Sequence, residues 1–468
     1  MKVALVHYHL KTGGVTTVLS SQIAALRNAC ELIVLTGDRA AAGLPCEVAE
    51  IPGLGYDRPG RSQPSPDSVA ARMIKVLSEK WPGGCDVLHI HNPTLAKNRS
   101  FLQIIKRLQQ SGITLFLQIH DFAEDGRPGV YFRDAYPADC HYGVINARDA
   151  GILKGAGLKP RGVHLLPNAV AGLTAGMDRS PEPRILYPVR AIRRKNLGEA
   201  ILLSMFFNGT QRLAVTQPPN SPADAASYRD WVAWVEKNRL HVDFEVGKNT
   251  DFGALMNSAR SVVTTSITEG FGLTFLEPWT AGKLLWGRRI RGICDDFEAR
   301  GIRLETLYDR LDVPLAWIDG DAFCRDWHQA VAGAAACYGH RMAADTADAA
   351  FARMTRNGRV DFGLLSETFQ RQVLGRLIRA PSARDELVDL NPCLACPGEV
   401  PHPSAMVEAN RRLILAHYGM EQYRRRLLSV YDQVAGHRVE HRIDKAVLRD
   451  AFFDLDRFSL LKWGTYVH

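Results

Sequence analysis

Short apolar runs separated by amphipathic stretches fill the first quarter of the chain, and few folds accept that order. Val3 to His7, Leu32 to Leu35, Cys46 to Ile51, Asp86 to Ile90 and Ile113 to Ile119 read as strands. Between them lie helical segments, the first with Val15, Val18, Leu19, Ile23 and Leu26 on one face. Strands joined by helical crossovers predict a parallel sheet covered on both faces. The pattern restarts after Gly172 to Pro183, a linker rich in small residues and Pro, with strands at Arg184 to Pro188, Arg212 to Thr216, His241 to Glu245 and Val262 to Thr265. From about Gly320 onward it is helical, ending in a predicted helix from Lys445 to Leu461.

A chain of 468 residues exceeds what one core sustains, so two or three domains are expected. No run approaches the roughly 18 apolar residues of a membrane span. Met1 leads directly into a strand, so a signal peptide is not expected and a cytoplasmic location is. The nine cysteines, Cys393 and Cys396 included, are scattered and read as free thiols. A net charge of +8 suits phosphorylated ligands or an anionic surface. No helix-turn-helix, zinc finger or aromatic RNA-binding signature is present, which sets nucleic acid aside as a partner. Nothing in the sequence speaks to oligomeric state.

Three stretches carry chemistry. From Thr264 to Gly282 a strand runs into Glu269-Gly270-Phe271-Gly272-Leu273, and Glu277 follows eight positions after Glu269. On an α-helix that spacing is about two and a quarter turns and puts both carboxylates near one face. The glycines predict a tight turn or a close ligand, and Thr274 is placed to cap a helix carrying Glu277. Strand, glycine turn and helix N-terminus suit an anionic, polyhydroxylated ligand, the alternative being a plain turn. The second stretch, Arg190 to Lys195, offers a guanidinium and an ammonium before a helix starting near Leu197, a pair suited to a diphosphate or else a solvated basic turn. The third is Thr12-Gly13-Gly14 after the first strand, a phosphate cradle in physical terms. It lacks the G-x-G-x-x-G of dinucleotide-binding dehydrogenases.

Polar residues close two further strands: His89, His91 and Asn92 one, His120 and Asp121 the next. Ligands of open α/β sheets bind at such carboxyl ends. His89 and His91 share a strand face, but no third ligand stands at suitable spacing, so no metal is expected.

Glu269 to Leu273 followed by Glu277 resembles the Glu-x7-Glu motif of the retaining, GT-B-fold glycosyltransferases of family 4. Arg190 and Lys195 match that family's Arg-x4-Lys, the Gly13-Gly14 turn and His120 fall where it has counterparts, and Pro167-Asn168-Ala169-Val170 resembles its Pro-Asn-Gly-Val segment. The resemblance implies that Arg190 and Lys195 hold the nucleotide diphosphate. Glu269, with Gly270, Phe271, Gly272 and Leu273, would hold the donor sugar, and Glu277 the ribose. Gly13 and Gly14 would lie near the donor phosphates. His120 would face the reacting sugar and acceptor, hydrogen-bonded to a hydroxyl or acting as base. Lys248 or Asn249 would touch the base of the nucleotide. Past Gly282 the sequence departs from the family, and Arg288 and Arg289 enter; they would meet an anionic acceptor or a donor phosphate, or pair with Asp295 and Asp296. Thr12, Asn92 and Asp121 complete the expected acceptor side.

The expected fold is therefore α/β with GT-B architecture. Two Rossmann-like domains, 1–175 and 184–320, would face a cleft, with a helical extension over 321–468 whose last helix, about 445–461, packs back on the first domain. The expected reaction is retaining transfer of a hexose from a nucleoside diphosphate sugar, UDP favoured and GDP or ADP allowed, to a hydroxyl of a small anionic acceptor. No cofactor is required. The alternatives are a nucleotide-sugar 2-epimerase, transfer to a lipid acceptor through peripheral membrane contact, and a non-catalytic sugar-nucleotide-binding subunit.

Overall fold

A computed structural model describes residues 1–38, 44–58, 60, 62–173, 183–343, 345–398 and 400–464. Most of the expected linker lies outside them. The chain forms two compact units, Met1–Ala169 with Tyr418–Phe453, and Val170–His417 with Asp454–His468.

The first unit is built on seven parallel strands: β1 (Lys2–His7), β2 (Glu31–Thr36), β3 (Glu47–Glu50), β4 (Val87–His91), β5 (Leu115–Ile119), β6 (His141–Val144) and β7 (Val163–Leu165), in the order β3-β2-β1-β4-β5-β6-β7. Its strands from β1 to β6, apart from the edge strand β3, bury both faces over most of their length, as a covered parallel sheet requires. Along β1, Ala4 and Val6 point into one core with the helices Pro66–Lys80 and Phe101–Gln110, while Val3 and Leu5 point into the other. That second core is closed by Leu19 and Ile23 of the helix Gly14–Leu26 and by Tyr423, Leu427, Val430, Tyr431 and Val434 of the helix Met420–Gly436. The spacing of those five residues makes one apolar stripe, which is why this late helix belongs to the first unit.

The second unit repeats the plan with β8 (Arg184–Arg190), β9 (Arg212–Gln217), β10 (Val242–Asp243), β11 (Ser261–Thr264), β12 (Leu285–Arg288) and β13 (Leu307–Tyr308), in the order β10-β9-β8-β11-β12-β13, all parallel. A small antiparallel pair, β14 (Asp312–Pro314) and β15 (Arg359–Asp361), the helices from Gly320 to His417 and the terminal Leu460–Trp463 complete it.

In both sheets the strand order reverses once, between β1 and β4 in the first and between β8 and β11 in the second. Crevices at the carboxyl ends of such switch points are where open α/β sheets bind ligands.

Two local expectations change. Lys445 to Leu461 is not one helix: Lys445–Phe452 ends, a 3-10 turn covers Leu455–Arg457, and Leu460–Trp463 is separate. Asp454 and Ser459 accept hydrogen bonds from the backbone N–H groups of Asp456 and Leu461, local caps that compete with helix continuation. Glu269 and Glu277 share no helix either, because Glu269 lies in a loop and Glu277 opens a four-residue helix, Glu277–Thr280.

Candidate functional site

Gly13, Gly14 and Asn92 follow β1 and β4, and Arg190 and Glu269 follow β8 and β11, the two switch points, whereas His120 and Asp121 follow the neighbouring β5 and Arg288 ends β12. In the second unit, β8 leads to Arg190 and a 3-10 turn, Arg193–Lys195, before the helix Leu197–Ser204. β11 leads to the loop carrying Glu269. The two loops are stitched together. Ile267 donates its N–H to the Arg194 carbonyl at 3.1 Å, and Arg194 Nη1 reaches the Thr268 carbonyl at 3.4 Å. Thr265 Oγ1 lies within hydrogen-bond reach of the carbonyls of Lys195 and Asn196, at 3.1 and 3.0 Å, and 2.8 Å from the Tyr187 hydroxyl, which itself donates to the Lys195 carbonyl. Asn196 takes a left-handed conformation, φ 58°, as it enters the helix, and its amide is held by Glu199 at 2.7 Å and Gln370 at 2.8 Å.

This scaffold presents Lys195 Nζ to the carboxylate of Glu269, a mostly buried ion pair. Burial works to raise the Glu269 pKa, yet the Lys195 and Arg194 cations hold it below the usual carboxylate range. Arg190 is half-buried and reaches only Gln217, at 3.5 Å, with no carboxylate partner among the described residues. Glu277 is the electrostatic opposite of Glu269: burial with no compensating cation pushes it up to about 7. Gly272 has φ +86°, and a Cβ there would meet the Phe275 ring at 2.7 Å, so only glycine makes this turn without strain. Phe271 is buried against Phe297, with ring centroids 5.7 Å apart. Gly247 closes on the Thr216 carbonyl at 2.9 Å, and the exposed Lys248 lies 3.9 Å from Glu245. Thr274 caps nothing; its hydroxyl is buried without a hydrogen-bond partner.

In the first unit, Gly13 and Gly14 start the helix after β1. A Cβ at Gly14 would meet nothing within 4 Å and one at Gly13 only the Lys11 carbonyl at 3.9 Å, and neither glycine lies in the left-handed region, Gly13 being extended at φ 176°. Internal packing therefore does not demand glycine at either position. Thr12 is exposed beside them. At the end of β4, Asn92 is left-handed at φ 50°. Its Oδ1 accepts from the backbone N–H groups of His120 and Asp121, at 2.7 and 3.3 Å. Asn92 thus positions the next strand end, and its carbonyl oxygen is committed to that work. Asp121 pairs with Arg127 at 3.2 Å, and His120, 7% exposed, is bonded through Nε2 to His91 Nδ1 at 2.9 Å.

Arg288 is not on an acceptor surface. It is 5% exposed, and Glu199 and Asp361 take four of its hydrogen bonds at 2.7 to 2.8 Å, leaving one of a guanidinium's five donors. Tyr308 adds a bond to Glu199 at 2.7 Å. Arg289 pairs with Asp295, one of the partners expected for it, at 2.7 Å, and with Glu298. Both ring nitrogens of His89, which was not expected to bind metal, are engaged within the protein, by Tyr431 at 2.8 Å and Gln118 at 2.9 Å. Tyr187 and Thr265, which the sequence reading passed over as strand residues, hold the Lys195 loop; two consecutive threonines in an apolar strand end were the available signal.

No family model matches the chain. A mannosylglucosyl-3-phosphoglycerate synthase of Petrotoga mobilis is 26% identical over 350 residues, which covers 66% of this chain and 68% of that protein. Sucrose-phosphate synthase of Thermosynechococcus elongatus aligns with a TM-score of 0.53 at 14% identity, over 93% of this chain and 99% of that one. HepE of Anabaena, solved in complex with UDP-glucose, gives 0.52 at 11% identity, over 92% and 100%. These likenesses, with the two parallel sheets, show that the chain has the GT-B glycosyltransferase fold, two Rossmann-like domains with additional C-terminal helices.

Proposed function

We propose that the chain is a glycosyltransferase that moves a hexose from a nucleoside diphosphate sugar to a hydroxyl of a small anionic acceptor, with retention of configuration. The observation that carries this reading is the Lys195–Glu269 pair, built on two stitched loops at the switch point of the second sheet. Arg190 and Lys195 stabilise the departing diphosphate, a charge that develops only as the glycosidic bond breaks. Glu269 orients the hexose through its hydroxyls while keeping Lys195 in place. Glu277, once ionised, accepts from the ribose hydroxyls, and Gly13 and Gly14 let phosphate oxygens approach the backbone. His120 faces the acceptor.

With Arg288 and Arg289 engaged internally, support for an anionic acceptor comes instead from the Petrotoga relative, whose name describes a phosphoglycerate glycoside as product. Retention rests on the resemblance of the Glu269–Glu277 motif. Nothing favours the epimerase, since the similar proteins include synthases named for a glycoside or sugar phosphate.

A thermal-shift screen of nucleoside diphosphates and their sugars tests the donor. A ligand at 100 times its Kd adds about 2.7 kcal/mol and raises Tm by several degrees. The reading expects one base to dominate and the shift to shrink in Lys195→Ala; no shift from any nucleoside diphosphate would contradict it.

A further inference from the structure

We propose that His91 is a positioning residue that fixes His120 as an N–H donor, with Nε2 accepting from His91 and Nδ1–H left for an oxygen of the reacting sugars. The two rings lie nearly parallel, 17° apart, joined by the 2.9 Å bond from His91 Nδ1 to His120 Nε2. One proton lies in that bond, and two arrangements can supply it. If His120 donated, neutral His91 would carry its own proton on Nε2. That nitrogen is buried and has no hydrogen-bond partner, so the arrangement would leave an orphaned N–H. If His91 donates, only an acceptor lone pair is left unmet, the more tolerated defect in protein interiors. His120 then holds its remaining proton on Nδ1, for which no protein partner exists among the described residues, while Asn92 Oδ1 anchors its backbone N–H.

The relay is braced from behind. His91 stacks on His89 with centroids 4.4 Å apart, and His89 is held between Tyr431 and Gln118. Gln118 Oε1 is in turn bonded to Gln22 at 2.9 Å. Burial keeps the rings neutral, lowering His120 to about 4 against a small opposing effect of Asp121, and lowering His91 further with help from His89, His120 and His7. A neutral His120 with Nδ1 protonated donates to an oxygen lone pair and has no basic nitrogen facing the ligand, which decides between the two roles considered for it. That role in catalysis rests on the proposed transfer reaction; the tautomer does not.

Nitrogen-15 NMR of the histidine-labelled full chain near pH 7.5, without substrate, reads the tautomer directly, with His120 assigned by its absence in His120→Gln. The expected result is a protonated Nδ1 and a bare Nε2 at His120, and the reverse overturns the proposal. Two substitutions separate positioning from bulk. His91→Asn puts an amide donor where Nδ1 stood and should keep both the tautomer and kcat within about threefold. His91→Gln places its amide at the other nitrogen, so His120 should revert to Nε2–H. In that variant kcat should fall on the order of tenfold with donor KM little changed, the size of one net hydrogen bond. Equal loss or equal retention in the two variants overturns the positioning role. If the tautomer is as expected but no variant and no wild-type protein transfers sugar, the transfer reading fails while the His91–His120 arrangement stands.

Discussion

Lys195 and Glu277 make opposite demands on solvent and charge, and both can be measured. Lys195→Ala removes the cation from the diphosphate and leaves Glu269 buried without its main partner. kcat/KM should fall by a factor on the order of 10² or more; turnover near that of the wild type at saturating donor would remove Lys195 from the chemistry. For Glu277 the sign is set by its raised pKa of about 7. At pH 6 the carboxyl is mostly protonated and at pH 8 mostly ionised, and only the ionised form accepts from both ribose hydroxyls. Donor KM should therefore drop about tenfold from pH 6 to pH 8, and Glu277→Gln should flatten the profile. An equally steep profile in that variant would assign the titration to another group. Both carboxylates were visible as residues at a telling spacing. Their different environments were not, because one finds Lys195 from a loop some 70 positions away and the other finds no cation.

Arg288 shows where reading along the chain fails. Two adjacent arginines after a strand suggest a ligand surface, yet β12 carries Arg288 into the interior toward Glu199 and Asp361, partners 89 and 73 positions away. Removing one member of a buried ion-pair cluster costs about 3–5 kcal/mol. Arg288→Met should lower the free energy of unfolding by that amount while acceptor KM stays unchanged in the protein that remains folded. A raised acceptor KM with normal stability would return Arg288 to the binding surface. The long strands and helices of both sheets were readable because their periods are strong. The short strands β13, β14 and β15 have two or three residues each, too few for any period.

The described chain consists of two switch-point sheets, each bringing one set of the expected residues to its carboxyl edge. The alternation of strands and helices foretold that plan. The sharing of the late helices between the units was less apparent, because it depends on which apolar stripe each helix offers. Tyr423 to Val434 fits the first sheet, whereas Leu460, Leu461 and Trp463 are buried in the second unit, where the Leu460 carbonyl accepts from Arg193 at 3.3 Å. Among the described residues no helix is long and apolar enough to cross a membrane. Incubating the full chain with α-linked nucleoside diphosphate hexoses and a panel of phosphorylated or carboxylated hydroxy acceptors, and reading the product's anomeric proton by NMR, tests the proposed reaction in one step. The expected result is acceptor-dependent release of nucleoside diphosphate with an α-configured product. Conversion of donor without any acceptor, or a β-configured product, would contradict it.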